Sequence, residues 1–243
     1  MFKYMRAAFD VAATALMIVA ASVLLWRMYH TPARPTSPSQ IEELSGVSLD
    51  AEKISNSRGS GRVVLIEFGD YECPFCARHK KQTGELITEK FVTTRSIQHA
   101  FLNFPLDIHP HAAGAAEAAE CAARQGKFWE MHESLFENQK TLELPYLKER
   151  ATALDLNESE FTKCLDDDET LSVVERDQAE GKRLGVRGTP TFFLGLRRPD
   201  GTIDLKKKLN GAVEFGEFEE AIEELLPTQR AEALLSKLAG LDL

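Results

Sequence analysis

Basic residues, cysteines and long apolar runs are all scarce in this sequence, and their scarcity narrows the possible functions. The 243 residues include 29 Lys and Arg against 38 Asp and Glu, which gives a formal net charge of −9 at pH 7. Nucleic-acid binding requires a basic surface, so this balance argues against a nucleic-acid partner. No internal repeat is present, and a hydrophobic fraction of 43% is ordinary for a globular protein. The length predicts one domain of about 200 residues with an appendage.

Two of the four cysteines form a CxxC motif, Cys73-Pro74-Phe75-Cys76, between a strand-like run over 62–69 and a helix-like run. Cysteines at this spacing on the first turn of a helix lie close enough to form a disulfide. The first sulfur then faces unpaired N–H groups, which favour the thiolate, the nucleophile of thiol–disulfide exchange. Pro74 suits the first helical turn, because its missing N–H would have had no partner there. The motif therefore predicts a redox-active dithiol at a β–α junction.

Two other interpretations of the CxxC motif are weaker. Half of a zinc site would need two more ligands at short spacing, and the remaining cysteines, Cys121 and Cys164, stand alone in helical surroundings. An inert structural disulfide is the second alternative, but so short a ring closes little chain and adds little stability. We therefore expect no metal and no cofactor beyond the redox-active disulfide itself.

The one long apolar run lies at the N-terminus, from Ala7 to Trp26. Twenty helical residues span about 30 Å, the thickness of a bilayer core. A cleavable signal peptide is the alternative, since small residues occur at Ala20-Ala21-Ser22. The apolar run continues past that site, which favours an uncleaved transmembrane anchor over residues 1–30. A proline-rich spacer follows over 31–45.

The globular part begins at residue 46 and shows an ordered change of pattern. Apolar runs predict strands at 62–69 and 95–104, on either side of a helix from Pro74 to about Lys90 in which Gly84 could form a kink. Two further strands, at 191–194 and 202–209, precede a helix over 215–226. Between the two halves lie five predicted helices, over 111–125, 127–138, 144–154, 158–166 and 170–184. The pattern predicts an α/β fold with a helical insertion at about 108–185.

Three motifs resemble those of DsbA-like thioredoxin-fold proteins. They are Phe68-Gly-Asp-Tyr-Glu-Cys-Pro-Phe-Cys76, Gly126-Lys-Phe-Trp-Glu-Met-His132 and Leu184-Gly-Val-Arg-Gly-Thr-Pro-Thr-Phe-Phe193. Their order, on either side of a helical insertion, matches that of the family. The resemblance covers about 46–226 and implies a thioredoxin fold, preceded by the transmembrane helix and followed by an extension over 227–243.

The resemblance also implies roles for individual residues. Cys73 corresponds to the exposed nucleophile, and Cys76 to the buried resolving cysteine. Thr189 and Pro190 correspond to the loop whose proline is cis and packs against the disulfide, where backbone is presented to a bound peptide. Glu67 corresponds to a buried acid that assists proton transfer to or from Cys76. The alternative for Glu67 is a strand residue with its carboxylate in water.

This sequence departs from the family pattern at one active-site position. Phe75 precedes Cys76, where strong oxidants of the family carry a histidine. A cation at that position would stabilise the thiolate, and Phe75 supplies no charge. The basic run over 78–81 follows directly and could compensate, although a solvated helix face is the simpler interpretation. We expect an acidic Cys73 with a less oxidising potential than in the relatives that carry the histidine.

The other two cysteines, Cys121 and Cys164, both fall in the insertion. Four cysteines in an exported protein suggest two bridges, and some members of the family carry such an extra bridge. A Cys121–Cys164 disulfide would then be structural. The alternative is a pair of buried free thiols in helix packing.

Histidines and aromatic residues in the insertion are weaker candidates for function. His109 and His111 could bind a metal, but no acidic or cysteine partner is evident nearby, which favours a loop or helix-cap role. Phe128, Trp129 and Phe136 have helical spacing, which favours the core over a ligand platform.

The sequence as a whole indicates a membrane-anchored oxidoreductase that introduces disulfides into exported proteins. Its catalytic domain would face the periplasm or cell exterior, because disulfide chemistry belongs to oxidising compartments. By resemblance, its partners are thiol-containing clients and a membrane reoxidase, a quinone-linked DsbB-type or vitamin-K-epoxide-reductase-type protein. The alternatives are a reductase or isomerase of the same fold, and a metallochaperone, for which Met131 and His132 offer a thin basis.

Overall fold

A computed structural model describes residues 41–226, apart from the side chains of residues 168 and 169. The predicted anchor over 1–30, most of the spacer and the predicted C-terminal extension over 227–243 lie outside the described residues. Across 41–226, none of the helices combines the length and the apolar character needed to span a bilayer.

The frame of the domain is one six-stranded sheet. Its strands are β1 (Ile41–Asp50), β2 (Asn56–Gly59), β3 (Val63–Gly69), β4 (Ile97–Asn103), β5 (Thr191–Arg197) and β6 (Thr202–Asn210). They lie in the order β1-β6-β5-β3-β4-β2, with β3 and β4 parallel and every other neighbouring pair antiparallel. All seven residues of β3 are buried, as expected of an apolar strand with a neighbour on each edge. The end of this central strand leads directly into the CxxC motif.

Alternate residues of β3 face two different cores. Val63 and Leu65 pack with Phe192 and the helix over 215–226, whereas Ile66 and Phe68 pack with other residues on the opposite face. This is the period of two that places successive strand side chains on opposite faces. A third core joins the helical insertion to both cysteines of the motif. The dithiol thus lies where the insertion meets the sheet.

The helical segment after the motif is continuous but not uniform. An α-helical turn, α1 (Pro74–His79), is followed by a wider π turn over Lys80–Gly84, by α2 (Glu85–Ile87) and by a second π turn over Thr88–Val92. The predicted kink at Gly84 is instead the end of a π turn, and the helix continues two residues beyond Lys90.

The insertion contains the five helices that the sequence predicts. They are α3 (Ala112–Arg124), α4 (Phe128–Glu137), α5 (Leu144–Ala153), α6 (Glu158–Leu165) and α7 (Asp168–Arg183). The side chain of Asn157 accepts a hydrogen bond from Glu160 N–H and so caps α6. Gly185 takes a φ of +72° just after α7, a conformation open to glycine and costly for other residues. A last helix, α8, covers 215–226 of the described chain.

Two strands were not expected from the sequence. β1 begins at Ile41, inside the stretch predicted as spacer and before residue 46, where we predicted that the domain begins. Only Leu49 is fully buried in β1, so this edge strand lacks the apolar alternation that would have predicted it. Its register also shifts between Glu43 and Val47. The short strand β2, over Asn56–Gly59, pairs only with β4 and carries a similarly weak pattern.

Candidate active site

The backbone around the CxxC motif places both sulfurs at the start of α1. Cys73 occupies the position before the helix, and Pro74 begins it. The backbone N–H of Cys73 donates to Asp70 O at 3.1 Å, and its own carbonyl accepts from Cys76 N–H at 3.1 Å. Both residues carry free thiols. The resemblance predicted that the nucleophile Cys73 is exposed, and this prediction is wrong. Cys73 packs in the insertion core and is only 3% exposed.

The pKa values of the two thiols are shifted in opposite directions. The pKa of Cys73 is lowered to about 5, first because the Cys76 thiol donates a hydrogen bond to it, and this outweighs the opposing effect of burial. Backbone N–H groups of Phe75 and Cys76 add to the stabilisation. The pKa of Cys76 is raised well above the usual thiol range, first by burial and then by its neighbour Cys73. The site therefore favours a thiolate on Cys73 and a protonated thiol on Cys76.

The loop before β5 faces the first sulfur. The peptide bond between Thr189 and Pro190 is cis, and the Thr189 carbonyl lies 3.3 Å from Cys73 Sγ. The loop is fixed at both ends, since Thr191 Oγ1 donates to Gly188 O at 2.7 Å and Gly211 N–H donates to Pro190 O at 2.8 Å. The resemblance placed Thr189 and Pro190 beside the dithiol, and this is where they lie.

Glu67 lies in the middle of β3, and its side chain pairs with that of His99. Its Oε2 is 3.1 Å from His99 Nε2 on the neighbouring strand, and the residue is only 4% exposed. Burial is the largest single influence and would raise the pKa of this carboxyl, but the hydrogen bond with His99 and the charges of the nearby histidines together outweigh it, and the pKa falls to about 2. The alternative of a carboxylate in water is wrong. The charge of Glu67 raises the pKa of Cys76, so the two groups interact electrostatically.

Asp70 organises the active-site loop, and sequence analysis missed it. Its Oδ1 accepts from Glu72 N–H at 2.8 Å, and its Oδ2 accepts from Leu106 N–H at 2.8 Å and lies 2.7 Å from His109 Nδ1. The sequence contained one signal for this role, because Asp70 comes directly after a strand that was predicted to be buried. His109 therefore has a loop role, while His111 precedes α3 and donates its backbone N–H to Glu72 Oε2 at 2.7 Å.

Gln139, in the turn after α4, is a second residue without a signal in the sequence. Its Nε2 donates to Tyr71 O at 2.7 Å and to Cys73 O at 2.9 Å, which ties the insertion to the active-site loop. The buried Tyr71 hydroxyl pairs with His132 Nδ1 at 3.1 Å. Phe128 and Phe136 belong to the same core, as their spacing predicts.

The basic run over 78–81 does not form one solvated face. His79 is buried, with its ring centroid 4.4 Å from that of Phe192 and 5.3 Å from that of Phe218. Burial lowers the pKa of His79 to about 4, so at neutral pH it supplies no charge. Arg78 and Lys81 are exposed, and the Arg78 guanidinium lies 5.0 Å from the centroid of the Phe75 ring.

The second pair of cysteines is bridged in the structure. Cys121 on α3 and Cys164 on α6 form a disulfide across a sequence separation of 43 residues. Thr170 Oγ1 lies 3.2 Å from Cys164 Sγ, and both cysteines are buried in the insertion core. Among the described residues, no group of three or more His, Cys, Asp or Glu side chains is arranged to hold a metal ion. Met131 and His132 are themselves buried.

The structure places two thiols of unequal acidity at the end of the central strand, and a cis-proline loop faces them. This arrangement defines a thiol–disulfide oxidoreductase of the thioredoxin fold. Residues 59–225 match the family model described as Thioredoxin, and the chain belongs to this family.

Solved structures of DsbA-type proteins share this fold. Wolbachia pipientis α-DsbA1 superposes with a TM-score of 0.64 and 21% identity, over 73% of this chain and 93% of that one. Oxidised BdbD from Bacillus subtilis superposes with a TM-score of 0.63 and 23% identity, over 76% of this chain and 99% of that one. The helical insertion is thus a shared part of the fold.

Similar curated sequences carry an unexpected name. A Salinispora tropica protein named Na(+)/H(+) antiporter NhaA 3 is 32% identical over 213 residues, which is 82% of this chain and 32% of that protein. A Salinispora arenicola protein named Na(+)/H(+) antiporter NhaA 1 is 33% identical over 77% of this chain and 30% of its own length. This chain spans about a third of the length of these relatives.

Proposed function

We propose that this chain introduces disulfides into exported proteins, as a membrane-anchored enzyme whose catalytic domain faces the periplasm or cell exterior. The observation that carries the proposal is the arrangement of the dithiol: Cys73 stands at the start of α1 and faces the cis-proline loop, while Cys76 is fully buried. This arrangement shifts the pKa values of the two thiols in opposite directions. A thiolate that is stable on Cys73 stabilises the reduced dithiol, and a stabilised reduced form makes the disulfide an oxidant.

The different pKa values of Cys73 and Cys76 determine which sulfur forms the mixed disulfide and which one leaves. A client thiolate attacks Cys73 Sγ of the oxidised enzyme, and the Cys73–Cys76 bond breaks as a mixed disulfide forms. Cys76 leaves with the electron pair and takes up a proton, as its raised pKa favours. A second client thiolate then attacks the client sulfur of the mixed disulfide and releases Cys73 as a thiolate. The client loses two electrons and the enzyme dithiol gains them.

Two neighbours of the sulfurs assist this exchange. The backbone at Thr189 lies beside Cys73 and offers a hydrogen-bonding edge to an extended client segment. The charge of Glu67, which is held by His99, helps to keep the proton on Cys76 after that sulfur leaves. No cofactor beyond the dithiol takes part.

Turnover needs an electron acceptor for the reduced dithiol. We infer a membrane reoxidase, a quinone-linked protein of DsbB or vitamin-K-epoxide-reductase type, and a transmembrane anchor over residues 1–30 that keeps the enzyme near it. The antiporter activity in the names of the Salinispora proteins is not part of this proposal, because those proteins are about three times as long as the matching segment.

Stoichiometric exchange with a reduced model client tests the direction of the reaction. The oxidised full-length chain in detergent should form one client disulfide per Cys73–Cys76 pair without added oxidant. Cys73→Ser should abolish transfer, and Cys76→Ser, offered an oxidised client, should accumulate a mixed disulfide that the parent resolves. A reduced enzyme that instead reduces oxidised client to completion would assign it the reductase role.

A further inference from the structure

The buried side chain of Asp70 belongs to the loop that leads directly into the CxxC motif. It is almost fully buried, and its backbone carbonyl accepts the hydrogen bond from Cys73 N–H at 3.1 Å. Its backbone also donates a hydrogen bond toward the Cys76 sulfur. A carboxylate in this loop would oppose the charge of a thiolate on Cys73, because like charges raise the pKa of an acid.

His109 is the group that offsets this charge. Its Nδ1 lies 2.7 Å from Asp70 Oδ2, and the contact is part of a fixed loop. Leu106 holds that loop from both sides, since its N–H donates to Asp70 Oδ2 at 2.8 Å and its carbonyl accepts from His109 N–H at 2.9 Å. The imidazole is only 16% exposed, so solvent screens the contact partially rather than fully.

We propose that protonated His109, held by Asp70, supplies the positive charge beside Cys73 that Phe75 does not supply, and so acts as a positioning residue for the thiolate. This inference deepens the proposed function, because an oxidant of this type depends on a stable thiolate at Cys73. The histidine that strong oxidants of the family carry at the position of Phe75 is replaced in effect by one from the loop before α3, 34 residues further along the chain.

The charged groups around His109 agree with this assignment. Burial on its own would lower the pKa of His109, whereas the hydrogen bond and charge of Asp70, and the charges of Cys73 and Glu72, raise it, and the net direction is upward. The influence of Cys73 on His109 is reciprocal by thermodynamic linkage. If the thiolate favours the imidazolium, the imidazolium favours the thiolate by the same free energy.

A pair of matched substitutions separates charge from packing. His109→Gln keeps a hydrogen-bond donor for Asp70 but removes the charge, and His111→Gln makes the same change two residues away, where the contact with Glu72 uses only the backbone. For the full-length chain, we expect His109→Gln to weaken thiolate formation at Cys73 and the oxidising equilibrium with glutathione about threefold each. His111→Gln should match the parent, and equal behaviour of the two variants would overturn the proposal.

A second measurement on the unaltered protein does not depend on the folding of a variant. The pKa of His109, followed by NMR of labelled histidine, should be higher in the reduced protein than in the oxidised protein, where no thiolate exists. Equal pKa values in the two redox states would also overturn the proposal. The outcome is independent of the direction of catalysis, which depends on the absolute reduction potential rather than on these differences.

Discussion

The Cys73 sulfur owes its acidity to several short contacts rather than to one charge. The Cys76 thiol is the first of these, followed by the side chain of Thr189 and by backbone N–H groups at the start of α1. Cys76 is buried and its pKa is raised, so its thiol remains a hydrogen-bond donor when Cys73 is ionised. The reduced form is therefore stabilised as a pair, and a change at the second cysteine should be felt at the first.

Substitutions at Cys76 test this at the scale of one hydrogen bond. Cys76→Ala removes the donor, so the pKa of Cys73 should rise from about 5 by on the order of one unit or more. Cys76→Ser keeps an O–H donor and should remain close to the reduced parent. Thiolate absorbance against pH measures both variants, and the Cys121–Cys164 disulfide does not titrate. Identical curves for the two variants would contradict the assigned cause.

Helix α7 joins the insertion to the sheet through both packing and polar contacts. A Cβ at Gly181 would lie 2.6 Å from ring atoms of Phe104, so only glycine fits there without a shift. Close by in sequence, Asp177 Oδ2 accepts from Asn103 N–H at 3.1 Å, and Asn103 Nδ2 also donates to Glu120 Oε1 at 2.7 Å. The junction thus combines a close approach with buried acids.

Two glycine substitutions should have opposite effects on stability. Gly181→Ala forces the Phe104 ring to move and should lower the free energy of unfolding by about 1–3 kcal/mol. Gly114→Ala, in α3, meets no atom within 4 Å and should raise it by up to about 1 kcal/mol, because alanine favours the helix. Urea unfolding of the oxidised protein measures both. A stabilised Gly181→Ala variant would mean that this packing is looser than described.

The pH dependence of unfolding should reveal the buried acid at the junction. Burial raises the pKa of Asp177 to about 7, above its usual 3.8. A group whose pKa is raised in the folded state contributes its full stability below the pKa that it has in the unfolded state. That contribution is lost as the pH rises through the pKa of the folded state. The free energy of unfolding of Asp177→Asn, relative to that of the parent, should therefore increase by roughly 2–4 kcal/mol between pH 4 and pH 8.

Urea unfolding across that pH range provides the measurement. Asp166→Asn is the matched control, because it makes the same substitution at an exposed position at the end of α6. If the difference between Asp177→Asn and the parent stays constant with pH, the carboxyl does not titrate in this window.

Across the whole molecule, local patterns predicted the fold and non-local contacts were missed. The CxxC motif, the helical spacings and the strand–helix order are local, so the sequence contains them directly. The contact between Asp70 and His109 joins residues 39 apart and depends on where β4 ends, which no spacing reveals. The burial of His79 was hidden because it stands within a run of charged residues whose exposure differs. Edge strand β1 was missed because its face is barely buried.

The molecule as a whole combines a Cys73 thiol of lowered pKa, a buried Cys76 thiol of raised pKa and a cis-proline loop beside Cys73. We propose that the Cys73–Cys76 disulfide is an oxidant. Its reduction potential can be measured on the full-length chain in glutathione buffers with site-resolved alkylation. We expect a value well above about −200 mV, whereas a value near about −270 mV would contradict the proposed direction of electron flow and indicate a reductase.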